Sequence, residues 1–399
     1  MQRFTMYFFK KHLFVFFVKF NDYVGRLFCH KQKRVFSYPE KIFISEIGHI
    51  GDLIFSTPVF RIIKNNFPHS QLCVLVNPAA RPLLEENPYI DKIVTYDHFR
   101  LSRAGHFLFK KIYRTIRDYR GLIDYLRASS FDLGLDLRHF YPMTIHLMVD
   151  GGVNFVAGFG NRGHSYLLDQ QLNLCPDMHE VEQKVNTLAQ LGLKVPSRES
   201  IALDLFVDEG SVKKIRDLLF SKGVKSDETV CVIHPGCGQQ ARLWLNDRWA
   251  GVADFLMKRS IRIIFAGGVN EKTLIEDIKN ILGPEKRFLD VSGMLSLKEL
   301  AALIKSVDFF IGLESAPSHI AAAVGTPVIS LYSGTTRTNQ WKPWGSRVFV
   351  ITKDLACVPC YNPLGCRSMS CLRDIKVEDV IEVIRKGIFP ELKKSREDA

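Results

Sequence analysis

The sequence predicts an α/β protein of two doubly wound, Rossmann-like domains. Three observations carry this. At 399 residues the chain is too long for one ordinary α/β domain and suits two with separate cores. Short β-branched runs alternate with amphipathic stretches from Lys41, and the same rhythm restarts at Thr229, as in βα units around a parallel sheet. The glycine- and serine-rich segments fall between predicted strands and helices, where ligands of such sheets bind.

In the first half, Lys41–Glu46 reads as a strand, Leu53–Asn66 as a helix with Pro58 in its early turns, and Gln71–Val76 and Ile93–Tyr96 as strands. A long, basic, aromatic helix is expected over His106–Ala128, a strand over Phe131–Leu137 and a helix near Val181–Leu193. Residues 195–228 hold Pro196, Ser197, Ser200, Gly210 and Gly223 around one helix. The domain boundary is placed within Ser200–Asp208, giving an extension over 1–40 and domains over 41–204 and 205–399. The second half has strands at Thr229–His234, Ile261–Ala266, Phe309–Gly312 and Pro327–Tyr332. Its helices are Trp249–Arg259, Glu271–Leu282, Leu297–Ser306 and Pro317–Val324.

Composition narrows the function. Hydrophobic residues at 46% and charged residues at 24% match a globular protein, and no apolar run reaches the roughly 20 residues needed to span a bilayer. The net charge of +12 is concentrated: residues 1–40 and 98–127 each hold eight Lys/Arg against two acids. The first stretch interleaves its cations with Phe8, Phe9, Leu13, Phe14, Phe16, Phe17, Val18 and Phe20, the composition of a helix lying in an anionic lipid interface. A basic terminus that packs on the domain or stays disordered explains the same residues. Leu13–Val18 is short for a signal peptide, with no small-residue cleavage site after it. Nucleic acid is not an expected partner, since no recognition motif accompanies the charge.

Four strand-to-helix loops could carry chemistry. In Ile47-Gly48-His49-Ile50-Gly51-Asp52, Gly48 and Gly51 permit a tight turn and close approach of backbone to ligand. Asp52 then either caps the helix or deprotonates an acceptor hydroxyl, two roles that need not exclude each other. In the loop His234 to Trp244, Gly236 and other small residues suit a phosphate cradle, and Arg242 a bidentate clamp on a diphosphate; a surface turn with a solvated arginine is the alternative. The loop Gly267-Gly268-Val269-Asn270-Glu271 lacks the G-x-G-x-x-G order of a dinucleotide site, which argues against a dehydrogenase. Glu271 either accepts a ribose hydroxyl or complements the helix dipole. The fourth, Gly312-Leu313-Glu314-Ser315-Ala316-Pro317-Ser318-His319, puts proline where a helix accepts it and serines beside unpaired amides, an anion site. Ser315 as a plain cap and His319 as a buried, satisfied imidazole are the structural alternatives.

Nine cysteines are too few for a disulfide scaffold and fit a reducing cytoplasm. Cys357, Cys360, Cys366 and Cys371 form C-x2-C-x5-C-x4-C, which suits a structural zinc, a labile disulfide or reduced thiols packing a loop.

With these loops in hand, the chain resembles glycosyltransferase family 9, the heptosyltransferases of the lipopolysaccharide inner core, from about Lys41 to Ile375. The carrying segments are IGHIGDLIFSTP at 47–58, HEVEQKVNTLAQLGL at 179–193, HPGCGQQARLWLNDRWA at 234–250, GLESAPSHIAAAVGTPVISLYSGT at 312–335 and CVPCYNPLGCRSMSCLRDI at 357–375. The resemblance implies the GT-B fold, two domains facing across a cleft, with acceptor bound by the first half and donor by the second. It implies inversion at the anomeric carbon, no cofactor required for catalysis, an ADP-heptose donor and a lipid-linked saccharide acceptor at the inner face of the plasma membrane. Asp52 matches the family's base. Arg242 stands where the family commonly has lysine, Glu271 would face the ribose, and Ser315, Ser318 and His319 match the pyrophosphate loop. Two departures bear on donor identity: Glu314 replaces the usual Asp, and Ala316 the following Gly. A nucleotide-sugar epimerase and a non-catalytic binder of anionic lipid or nucleic acid are the rival readings.

Overall fold

The structure, a computed structural model, describes residues 20, 22–25, 27, 34, 36–98, 108–138, 143–284, 288–362 and 364–392. Most of the N-terminal aromatic stretch, Phe8 to Val18, therefore lies outside the described residues, as do the first two residues of the helix expected from His106. The chain divides into two compact units, Met1–Asp204 and Leu205–Ala399.

Each unit is built on a six-stranded sheet. In the first, β1 (Lys41–Glu46), β2 (Gln71–Val76), β3 (Lys92–Thr95), β4 (Leu133–Asp136), β5 (Phe155–Phe159) and β6 (Gln170–Leu172) lie in the order β3-β2-β1-β4-β5-β6. The second holds β7 (Val230–His234), β8 (Arg262–Phe265), β9 (Phe288–Asp290), β10 (Phe309–Leu313), β11 (Val328–Leu331) and β12 (Val348–Ile351), ordered β12-β11-β10-β7-β8-β9. Every strand pair is parallel. Both sheets thus repeat one topology, and in each the order reverses once, between β1 and β4 and between β7 and β10. Beyond the carboxyl ends of strands at such a reversal, loops diverge to opposite faces and leave a crevice.

Parallel strands covered on both faces need near-continuous apolar sequence, and KIFISE, QLCVLV, VCVIH and FFIGL supply it, buried almost throughout. Phe43, Leu75, Leu126, Leu147 and Val156 meet in the first core, and Ile233, Trp249, Phe265, Ile311 and Leu331 in the second. Trp249 and Phe265 are fully buried, so each contributes on the order of 1.5–3 kcal/mol through apolar area removed from water.

The helix Ile50–Asn66 begins three residues earlier than the sequence suggests, which places Pro58 in its third turn. Proline there removes the amide that would bond the Ile54 carbonyl. The Thr57 hydroxyl donates to that carbonyl instead, at 2.8 Å. Several elements go beyond the expected set: β5, β6, β9, β12 and the helices Met143–Asp150 and Val377–Val383. The helix expected at Trp249–Arg259 runs from Asn246 to Met257. Among the described residues no helix is long and apolar enough to cross a membrane.

Candidate active site

In the first unit the loop after β1 turns directly into the helix Ile50–Asn66. Asp52 occupies the third helical position, and its Oδ2 accepts the backbone N–H of His49 at 2.9 Å. The capping role is therefore realised, and the carboxylate is held half-exposed at the helix start. Gly48 permits this geometry: a Cβ there would lie 2.6 Å from Glu46 Oε1 and 2.7 Å from Asp52 Oδ2. Any other residue at 48 would push the two carboxylates aside.

Beneath the loop lies a buried charged cluster. Glu46, at the end of β1, is fully buried. Its Oε1 accepts the Gly48 N–H at 3.2 Å, while Oε2 lies 3.1 Å from the Ser56 hydroxyl and 2.8 Å from Lys184 Nζ. Lys184 also donates to the Leu137 carbonyl at 2.6 Å, and Arg138 Nε stands 3.9 Å from Glu46 Oε1. The cluster thus spans the reversal between β1 and β4. Asp136 accepts the Arg138 N–H at 3.1 Å and the Thr144 hydroxyl at 2.9 Å, fixing the loop that carries Arg138. Glu180, buried at the start of the helix Glu180–Gln190, has its carboxyl pushed up to about 8, chiefly by burial, with Lys184 opposing and the charges of Asp52 and Glu46 adding to the rise.

Nothing in the loop motifs pointed to Glu46, Arg138, Glu180 or Lys184. One signal was present: Glu180 and Lys184 share the buried face of their helix with Val181, Val185 and Leu188, where an amphipathic helix normally places apolar residues.

In the second unit the loops after β7 and β10 meet at the other reversal. Arg242 Nη1 donates to Glu314 Oε1 at 3.1 Å, with the two side chains 18% and 8% exposed. Glu314 also accepts from Thr336 Oγ1 at 2.7 Å and Ser333 Oγ at 3.3 Å. Burial raises its carboxyl above the usual range, against the pull of Arg242, Thr336 and Ser333. The Arg242 Nε is buried without a hydrogen-bond partner, so the guanidinium fork is only partly used.

The remaining expected residues divide between the rim and the supporting layer. His234 is buried, its imidazole pushed below the usual range by desolvation while Glu271 pulls the other way. Its Nδ1–H donates to the Gly236 carbonyl at 3.1 Å. Glu271 Oε2 accepts the Gly268 N–H at 2.6 Å and packs where a side chain at Gly236 would go, which joins the loops after β7 and β8. Ser315 precedes the helix Ala316–Ala323 without a side-chain capping bond, and Pro317 lies in its first turn. Ala316 stays partly exposed at the rim. Ser318 lies deeper than an anion-binding hydroxyl should: it is fully buried and donates to the Leu313 carbonyl at 2.7 Å, with Ser330 donating to it at 3.2 Å. His319 is buried too.

Cys357, Cys360 and Cys366 sit on a loop, and Cys371 on the short helix Ser370–Arg373 that follows it. The loop lies against the segment that carries Thr336: Cys360 N–H donates to the Gly334 carbonyl at 2.8 Å and Arg337 Nε to Tyr361 at 2.7 Å. Cys357 and Cys366 are exposed and Cys371 buried. Hydrogen bonds from Ser368 and the Met369 amide hold the Cys366 thiol below its usual range. Among the described residues no group of three or more His, Cys, Asp or Glu is arranged to hold a metal.

Known proteins share both fold and sequence. Among solved structures, a family 9 glycosyl transferase from Veillonella parvula superimposes with a TM-score of 0.74 at 19% identity, covering 88% of this chain and 97% of its own. The ADP-heptose lps heptosyltransferase II of Escherichia coli does so with 0.71 at 18%, covering 88% and 99%. In sequence, lipopolysaccharide heptosyltransferase 3 of Escherichia coli K12 is 30% identical over 354 residues, 86% of this chain and 96% of that protein. The model of glycosyltransferase family 9 (heptosyltransferase) matches residues 119–366. On the length of that match and the near-complete alignment with a 30% identical relative, the chain belongs to glycosyltransferase family 9.

Proposed function

We propose that this glycosyltransferase moves a heptose from ADP-heptose onto a lipid-linked core saccharide of lipopolysaccharide, with inversion at the anomeric carbon. Support for the donor and acceptor classes comes from the relatives, named as lipopolysaccharide heptosyltransferases and, in one solved case, as an ADP-heptose enzyme. The observation that carries the chemistry is Asp52. It is a half-exposed carboxylate fixed at a helix start beyond a strand reversal, where Gly48 leaves its approach open.

Asp52 takes the proton from the acceptor hydroxyl as that oxygen attacks the anomeric carbon; the bond to the diphosphate breaks and its electrons leave with ADP. General-base help of this kind is worth roughly 10²–10⁴ in rate. The diphosphate is held by Arg242, whose fork keeps donors beyond the one given to Glu314, and by the loop at Glu314, Ser315 and Ala316 entering its helix. His234, Gly236, Gly268 and Glu271 shape the adjoining nucleotide pocket. A cationic side chain and helix amides supply the charge stabilisation, so transfer needs no divalent metal, and any zinc at Cys357, Cys360, Cys366 and Cys371 is structural.

The basic segments hold the enzyme on the anionic cytoplasmic face, where its acceptor lies. The direct test is transfer from ADP-heptose to a heptose-acceptor core lipid in EDTA, with the product linkage read by NMR. An inverted linkage formed at full rate supports the reading; a retained configuration, or activity restored only by a divalent ion, refutes it.

A further inference from the structure

A buried carboxylate is costly to desolvate unless it is paired and hydrogen-bonded. Glu46 is both, and its partners bracket the loop that carries Asp52. On one side it receives the Gly48 N–H. On the other it is reached by Ser56, whose hydroxyl is shared with the Asp52 carbonyl 3.0 Å away. Lys184 anchors the carboxylate from a different helix and ties it to the Leu137 carbonyl beyond β4. The loop is therefore braced from before and after residue 52 by one ion pair.

The pair also stands close to the candidate base. Glu46 Oε1 and Asp52 Oδ2 lie 2.6 and 2.7 Å from the point where a Gly48 Cβ would stand, so the two are no more than about 5.3 Å apart. Among the described residues, the charged and titratable groups around this end include His49 on the loop, His179, Glu180 and Lys184 at the helix packed against it, and Asp136 and Arg138 at the end of β4 and beyond. Lys184 is the nearer cation to Glu46, at 2.8 Å against 3.9 Å for Arg138.

We propose that Glu46 and Lys184 act as a pair of positioning residues for the transfer reaction, holding the loop 47–52 in place. The proposal rests on Asp52 being the base. It makes a prediction that a merely structural ion pair does not: kcat falls while donor binding is kept. In both Lys184→Met and Glu46→Gln, kcat falls at least tenfold while the KM for ADP-heptose stays within twofold, and the double variant Glu46→Gln/Lys184→Met falls no further than the slower single variant, because the pair acts as a unit.

The experiment is the initial transfer rate against donor concentration for these three variants and Asp52→Asn, with folding checked by thermal melting. Wild-type kcat in Lys184→Met, or a donor KM that rises as kcat falls, overturns the positioning role. Should Lys184→Met not fold, Glu46→Gln decides: a lowered kcat at unchanged donor KM supports the proposal, and wild-type kcat overturns it. Asp52→Asn separates the two failures. Retained transfer there removes the base itself and the proposal with it, whereas lost transfer beside wild-type kcat in Lys184→Met removes only the positioning role.

Discussion

Arg242 and Glu314 meet at 3.1 Å where the strand order of the second sheet reverses, one residue from the loop after β7 and the other from the loop after β10. The carboxylate does not stand alone. Thr336 and Ser333 hold it from a third segment, so the guanidinium is fixed by a braced partner and presents its remaining N–H groups in a defined direction.

Removing Arg242 should therefore act on donor binding. Arg242→Ala is expected to raise the KM for ADP-heptose about 10- to 100-fold, the loss of one charge-assisted hydrogen bond at about 1.5–3 kcal/mol, with kcat changed less. Steady-state kinetics against donor concentration checks this. An unchanged donor KM would detach Arg242 from the diphosphate.

Gly48 tests the loop from the other direction. A methyl group at this position would meet Glu46 Oε1 at 2.6 Å and Asp52 Oδ2 at 2.7 Å, so Gly48→Ala should displace the carboxylate of Asp52. Since small misplacements of a reacting group cost up to about 10²-fold in rate, kcat should fall ten- to a hundredfold with donor KM intact. Wild-type kcat in this variant would show that the loop tolerates the shift.

Glu180 gives a pH signature in stability. Its carboxyl, raised to about 8 from 4.5, keeps a proton in the folded state that the unfolded chain has lost across that interval. Folding stability therefore decreases as pH rises from 4.5 to 8, by at most about 1.4 kcal/mol per pH unit from this group. Glu180→Gln should flatten the fall in melting temperature between pH 5 and 9 and be the more stable protein at pH 9. Parallel curves for the two proteins would contradict the buried, protonated carboxyl.

The proposed membrane attachment rests on two basic segments. On the helix Leu108–Ser129, Tyr113 and Ile116 are 67% and 51% exposed, and Arg117, Arg120 and Arg127 are exposed with them. Residues 1–35 add eight Lys/Arg, each worth about 1 kcal/mol near an anionic surface at low salt. Deleting 1–35 should reduce sedimentation with phosphatidylglycerol liposomes at least tenfold at low ionic strength. Equal partitioning of the truncated and full chains would remove the segment from the membrane contact.

The strand-to-helix loops were legible in the sequence because each is announced locally: glycine, proline or serine follows an apolar run, and chain direction in a parallel sheet then places every such loop at one edge. Asp52, Arg242 and Glu314 lie in such loops or in the first turn of the helix that follows. Glu46, Arg138, Glu180 and Lys184 were not legible, because a charged residue reads as exposed until the partner that neutralises it is known. Glu46 and Lys184 are 138 residues apart. The burial of the Ser318 hydroxyl was illegible for a related reason: its position in the loop is local, but its inward turn depends on Ser330 and the Leu313 carbonyl. Of the strands beyond the expected set, β6, β9 and β12 are sheet-edge segments of three or four residues. Apolar runs that short carry too little periodicity to separate strand from loop.

In the proposed reaction one carboxylate, Asp52, removes the acceptor proton while other residues bind the donor. The most direct measurement pairs calorimetric titration of ADP-heptose with single-turnover transfer for Asp52→Ala. Donor affinity within about threefold of wild type and transfer slowed by about 10²–10⁴ is the predicted result. Transfer at the wild-type rate, or a parallel collapse of donor binding, would contradict it.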